Sequence, residues 1–161
     1  MKMKKGKHDV WAPFRFFVGS WEGTGESSSG KSKTERDYEF VLNGKFLRVR
    51  NKSTFEPHEK NPKGEIHEDV DYFSHDDSRG SFVLRQFHVE GFVNQYVLES
   101  LAHDGRSIVF VTESIENIPV GWRAREKYKI LNDDEFTEIF ELAAPGKDFE
   151  VCVKNQLRRK V

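Results

Sequence analysis

The feature that most limits how this chain can fold is its punctuation: clusters of Gly, Asn, Asp and Pro recur along the whole sequence at intervals of about ten residues. They fall at Ser27 to Lys31, Asn43-Gly44, Glu56 to Gly64, Asp76 to Gly80, Glu90-Gly91, Asp104-Gly105, Asn117 to Gly121, Asn132 to Asp134 and Pro145-Gly146. These residue types supply the positive φ angles and local side chain to backbone bonds that tight turns require. Between them lie short runs rich in Val, Ile, Thr, Tyr and Phe, the residues that suit a pleated, half-buried strand. The spacing predicts ten strands, over 17–27, 35–43, 45–55, 65–75, 81–89, 92–101, 107–115, 121–131, 135–144 and 148–159.

Side chains alternate between the two faces of a strand, so each run can be sorted into faces. Over 121–131, Trp122, Ala124, Glu126, Tyr128 and Ile130 share one face, while Arg123, Arg125, Lys127 and Lys129 share a face that must meet solvent. Over 135–144, Phe136, Glu138, Phe140 and Leu142 form the better interior face. The same rule points Tyr38, Phe40 and Leu42 inward on the second strand, and Ile66, Val70 and Tyr72 inward on the fourth, with Glu68 among them. Periodicity does not choose a face for 81–89, where Phe82, Leu84, Gln86 and His88 alternate with Val83, Arg85, Phe87 and Val89.

Consecutive antiparallel strands sharing one aromatic face bury it in a sandwich or close on themselves, and closure also removes exposed edges. The expectation is an all-β, up-and-down antiparallel barrel of about ten strands, a single domain over 1–161 with a flexible start at 1–9. Asp9 to Phe17 is the one stretch read as a helical turn, with Asp9 as its cap and Phe14, Phe16 and Phe17 as a lid over one barrel end.

A formal charge of −1, with acids and bases interspersed, offers no basic field for a nucleic-acid backbone. The longest apolar runs, such as Ile108 to Val111, fall far short of the roughly 20 residues a membrane helix needs. Neither nucleic acid nor membrane is an expected partner. The basic start resembles a signal-peptide n-region, but Pro13 and Arg15 interrupt what would be its apolar core. With one cysteine, Cys152, the chain makes no internal disulfide, and a cytoplasmic location is expected for a monomer or homodimer.

The segment Phe16-Phe-Val-Gly-Ser-Trp-Glu-Gly-Thr-Gly25, followed by Tyr38-Glu-Phe-Val-Leu-Asn-Gly-Lys-Phe-Leu-Arg48, resembles a bacterial lipocalin-like (calycin-type) domain family of unknown function. Agreement continues through Gly64-Glu-Ile-His-Glu, Tyr72-Phe, Gly80-Ser-Phe-Val-Leu-Arg85 and the closing Leu157-Arg-Arg-Lys160, so it covers most of the chain. The Gly-x-Trp-x-Gly-x-Gly opening is also similar to that of nitrobindins, haem-binding barrels related to fatty-acid-binding proteins. In lipocalins the Trp of Gly-x-Trp packs across the barrel base beneath an Arg near the C-terminus. The resemblance therefore implies structural closure by Gly19, Trp21 and Gly23 with Arg158 or Arg159. Nitrobindins hold ferric haem through a histidine near the C-terminus, and here no histidine follows His103. The soft donor nearest that position is Cys152, whose thiolate could hold haem iron but which alternates with Glu150 and Lys154 toward an outward face, so no cofactor is expected and haem stands as the alternative.

A barrel of this kind implies a preformed, mostly apolar pocket with a few placed polar groups. The expected lining is Tyr38, Phe40, Arg48, Tyr72, Arg85, Tyr96, Trp122, Glu126, Tyr128, Glu138 and Phe140, around a small hydrophobic ligand with an anionic or carbonyl end. An interior arginine would grip a carboxylate. Glu126 and Glu138, flanked by aromatic residues, read as a pair fixed by Arg48 or Arg85; set close together and unpaired, they would supply a general acid instead. The six histidines show no i, i+2 or i, i+4 pairing, and no metal site is expected. His67, with Glu65, Asp69 and Asp71, reads as part of a solvated outer face. Gly23 and Gly25 precede no helix, which excludes a phosphate loop.

Overall fold

The structure is a computed structural model and describes residues 8–161. Most of the start expected to be flexible thus lies outside the described residues. Ten strands follow one another: β1 (Gly19–Ser27), β2 (Gly30–Val41), β3 (Phe46–Phe55), β4 (Glu65–Asp76), β5 (Ser81–His88), β6 (Val93–Leu101), β7 (Ser107–Glu116), β8 (Arg123–Asn132), β9 (Glu135–Ala143) and β10 (Glu150–Arg159). Each pairs antiparallel with its sequence neighbours, and β1 pairs with β10, so the sheet closes on itself. Every turn cluster of the sequence separates two strands. No described helix is long and apolar enough to cross a membrane.

Closure depends on β1 lying tightly against β10. Gly23 sits opposite Leu157, and a Cβ at Gly23 would run into the Gln156 carbonyl. A side chain is therefore excluded there by contact with backbone. Below this point Trp21, fully buried, donates from Nε1 to the Phe17 carbonyl at 2.8 Å. The Arg159 guanidinium stacks 4.3 Å over the Trp21 ring and donates to the Phe16 and Val18 carbonyls at 2.9 and 3.0 Å. Arg158 points away from the barrel base to Glu135. Cation–π stacking and charged hydrogen bonds thus tie the segment that precedes β1 to the last strand.

That first segment is a 3-10 turn, Ala12–Phe17. Asp9 precedes it, accepting the Trp11 N–H and pairing with Arg15 at 2.6 Å. Trp11, Phe14 and Phe17 are buried in the barrel end. Phe14 packs on Phe82 at 4.5 Å and Phe73 at 5.3 Å, and Phe17 packs on Phe136 at 5.0 Å. One half of the lumen is therefore a solid aromatic layer.

Several face assignments change. On β4 the inward residues are His67, Asp69, Asp71 and Phe73, while Ile66, Val70 and Tyr72 lie on the outer face. Phe73 is the anchor: it is buried against Phe14 and Phe110, and alternation then carries the two aspartates and His67 into the lumen. β5 faces inward with Leu84, Gln86 and His88, which puts Arg85 outside, half-buried beside Gln95 and Ser74. On β3 the inward set is Leu47, Val49, Asn51 and Ser53, and Arg48 lies outside, paired with Glu39 at 2.8 Å. Trp122 precedes β8, half-buried and outside the lumen lining. Leu42 stands in the β2–β3 turn, exposed. A register shift between Val151 and Val153 brings Cys152 to the cavity wall despite its alternation with charged neighbours.

Gly23→Ala should lower the free energy of unfolding by about 1–3 kcal/mol, because the added methyl forces β1 and β10 apart. Urea denaturation measures it, and an unchanged midpoint would show that the seam can open at no cost.

Candidate functional site

Above the aromatic layer the lumen opens into a cavity of about 440 Å³. Its wall carries the apolar side chains Phe55, Phe92, Ile115, Ile118, Phe140 and Leu142, with His67, His88 and Glu90 among them. Its floor is polar, built from the inward positions of eight strands. Arg36 on β2 is central: its two terminal nitrogens donate to the two oxygens of Glu138 on β9, both at 2.8 Å, and its Nε donates to Asn51 at 2.8 Å. Asn51 passes the chain on to Asp69 at 2.9 Å, and Asn155 on β10 donates to Glu138 at 3.0 Å. On the opposite wall Tyr96 donates to Gln86 at 2.8 Å, and Gln86 donates to Glu126 at 3.2 Å.

Gly23 and Gly25 occupy the inward positions of β1 above Trp21. A Cβ at Gly25 would meet Asn155 and Ser32.

The buried acids divide by partner. Burial, reinforced by the charge of Glu138, pushes the Glu126 carboxyl well above the usual carboxylate range. Burial and the neighbouring Asp69 charge do the same to Asp71. Asp69 goes the other way: burial opposes its ionisation, but hydrogen bonds from His67 and Asp71 and the Arg36 charge outweigh that. Hydrogen bonds to Asp69 and Glu90 raise His67 to about 9 against the cost of its burial, whereas burial lowers His88. One oxygen each of Asp71 and Glu126, and the Asn155 Oδ1, are buried without a hydrogen-bond partner.

Of the lining expected from sequence, Glu126, Glu138 and Phe140 border the cavity. Tyr38, Tyr96 and Tyr128 are buried in the lumen beneath it; Tyr38 and Tyr128 join the aromatic layer and Tyr96 backs Gln86. Phe40 lies at the closed end, 5.2 Å from the Trp11 ring. Arg48, Tyr72, Arg85 and Trp122 do not reach the cavity. The mate of Glu138 is thus Arg36, not Arg48 or Arg85, and the two glutamates are not a free pair.

Sequence reasoning missed Arg36, Asn51, Ser53, His67, Asp69, Asp71, Gln86 and Asn94 as certain lining residues. For Arg36 the signal was present: β2 begins at Gly30, and extending the alternation back from Tyr38 gives Arg36, Thr34 and Ser32 against an outer row of Lys31, Lys33, Glu35 and Asp37.

Fold and site together define a closed ten-stranded antiparallel barrel with an internal cavity. Among solved structures, Rv2717c from M. tuberculosis shares this architecture over 96% of this chain and 99% of its own, with a TM-score of 0.71 and 17% identity. The S-type phycobiliprotein lyase CPES from Guillardia theta aligns over 97% and 95% with a TM-score of 0.60 and 13% identity. At such identities the likeness is one of fold. No protein-family profile and no curated protein matches the chain.

Replacing Arg36 by Met should destabilise the protein by about 3–5 kcal/mol, since it strands a buried carboxylate, and adding Glu138→Leu should recover much of that loss. Urea unfolding of the single and double variants measures both. Glu126 and Asp71 have raised folded pKa values, so the stability they contribute is complete below the ordinary carboxylate range and is lost as pH rises through the elevated values. Glu126→Gln, which keeps an acceptor for Gln86, should therefore exceed the wild type in stability at pH 8 but not at pH 4. Denaturation at the two pH values decides this, and equal differences would mean that Glu126 ionises freely.

Proposed function

We propose that this barrel binds a small molecule with an apolar body and an uncharged, hydrogen-bonding end, without obligatory catalysis. The observation that carries the reading is the cavity itself, which sets a group of apolar side chains, Phe92, Ile115, Phe140 and Leu142 among them, beside a polar floor. The end group is argued from charge. The interior arginine is already committed to Glu138 and Asn51, so the floor has no free guanidinium for a carboxylate. What the floor leaves unpartnered are oxygens of Asp71, Glu126 and Asn155. A neutral hydroxyl or amide satisfies such atoms, whereas an anion would face them across a poorly solvated space. Of the two ends expected from the sequence, the anionic one rested on an inward Arg48 or Arg85, which lie outside the lumen, and the carbonyl one is retained here.

The fold likeness to a phycobiliprotein lyase is compatible with this function but concerns architecture alone. Kinship with nitrobindins or fatty-acid-binding barrels rests on the opening motif only. Phe140 and Leu142 would hold the apolar body, with Gln86, Glu126 and Asp71 at the polar end.

The test is a matched pair of probes, decanol and decanoate, titrated calorimetrically into the full chain, alongside native mass spectrometry of the protein as purified. Decanol should bind at one per chain and at least tenfold more tightly than decanoate. Leu142→Trp, which fills the cavity from its apolar wall, should abolish it. Preference for the carboxylate, or binding untouched by Leu142→Trp, would overturn the proposal.

A further inference from the structure

We propose that His67, Asp69 and His88 form a binding site for a divalent first-row transition-metal ion on the cavity wall. The placement follows from strand geometry. His67 and Asp69 are two residues apart on β4 and therefore share its inward face, and Asp69 stands directly opposite His88 across the β4–β5 ladder. Three donor side chains from two strands thus converge on one point. His67 Nε2 lies 3.5 Å from Asp69 Oδ1 and 3.4 Å from His88 Nδ1, and all three ligand atoms fall within 4.8 Å of one another.

These separations are long for hydrogen bonds between such groups, which cluster near 2.9–3.0 Å. They suit a shared ion better. Donors bonded at about 2.1 Å to one metal stand about 3.0 Å apart in an octahedral arrangement and about 3.4 Å apart in a tetrahedral one. Two of the three pairs already stand at such separations, and closing the set brings Asp69 and His88, whose ligand atoms lie within 4.8 Å, nearer to each other.

The outer contact is also in place. His67 Nδ1 meets Glu90 Oε1 at 2.7 Å, a short bond that orients the ring and directs Nε2 at the other two donors. A carboxylate on the far nitrogen of a ligating histidine is the usual device for fixing its tautomer and orientation. Glu90 comes from the β5–β6 turn and lines the cavity mouth with His67 and His88.

The donor set selects the ion. Two imidazoles and one carboxylate suit zinc, iron, cobalt, nickel or copper rather than calcium or magnesium, which take oxygen ligands. Three protein ligands leave at least one coordination position unfilled, and because all three residues border the cavity that position faces the ligand space. The site does not rest on the proposal that the barrel binds an organic molecule, and it is measured with the metal alone.

The experiment uses the full, untagged chain after treatment with a chelator and dialysis. Cobalt(II) is titrated in and its visible ligand-field bands are followed, with zinc as competitor and metal content determined after equilibrium dialysis. The proposal expects saturation at one ion per chain, displacement by zinc, and selective shifts of the His67 and His88 ring resonances. His88→Ala should lower affinity at least tenfold, and Glu90→Gln, which keeps all three ligands, should lower it about 10- to 100-fold. Both positions lie at the partly exposed mouth, and circular dichroism confirms that each variant stays folded. The absence of saturable binding, or binding unchanged in folded His88→Ala, or ring shifts at His58, His75 or His103 instead, would overturn it.

Discussion

Arg36 and Glu138 sit on β2 and β9, strands that do not pair because β1 and β10 run between them. Their contact can form only across the lumen, and only where nothing fills the space above β1. On β1 the inward positions between Trp21 and Ser27 are Gly23 and Gly25, which carry no side chain to stand between the two strands. Removing two charges from water costs several kcal/mol each, which the direct pair offsets only if the remaining donors and acceptors are satisfied. Here they are: Asn51 and Tyr38 take further Arg36 donors, and Asn155 adds a bond to Glu138. The pair therefore brings a surrounding shell of polar side chains with it, and that shell becomes the cavity floor.

The same pair sets the electrostatics of everything above it. With the direct hydrogen bonds of Arg36 committed to Glu138, Asn51 and Tyr38, its charge reaches the other acids only across longer distances, and they sort by what else they touch. Asp69, bonded to Asn51 and near His67, is held ionised, while Asp71 and Glu126, with one oxygen each unpartnered, are held toward the neutral form. Amides and acids that are either paired or held toward the neutral form make a hydrogen-bonding surface with little net field. Under the proposed function such a surface selects by the direction of donors and acceptors rather than by charge.

The architecture was legible because turn chemistry is local: each Gly, Asn or Asp cluster announces its hairpin without reference to the rest of the chain, and a series of hairpins has few ways to close. The faces were legible where one side of a strand was purely charged, as in β8, and illegible where the lumen itself is polar. On β4 the rule that apolar residues point inward put Ile66, Val70 and Tyr72 inside, yet the interior at that height holds Arg36 and Asn51, which need acidic partners. Hydrophobicity orders strand faces only when the interior is apolar, and the upper half of this barrel is not. The proximity of His67 and His88 is hidden for a related reason: they meet across a ladder whose register a sequence does not display, with Asp69 beside them.

Connectivity then explains why the cavity opens at one end. In an up-and-down barrel alternate turns fall at opposite ends, so the turns after β2, β4, β6 and β8 gather at the plugged end. Those after β1, β3, β5, β7 and β9 ring the mouth. The plugged-end turns are tight, as at 42–45 and 133–134, whereas the mouth carries the longer connections at 56–64 and 117–122. Short turns preserve the close strand spacing that the aromatic layer requires. Long ones can move without breaking the barrel ladder, so entry to the cavity is a matter of loop displacement and not of strand separation. Two of these mouth elements are joined: His58, in the long β3–β4 connection, contacts the Ser29 carbonyl in the β1–β2 turn at 2.6 Å. The turn it holds contributes Ser27, Ser28 and Ser29 to the cavity wall. A ligand entering on that side must displace one hydrogen bond at the rim, while the cross-linked floor beneath stays fixed.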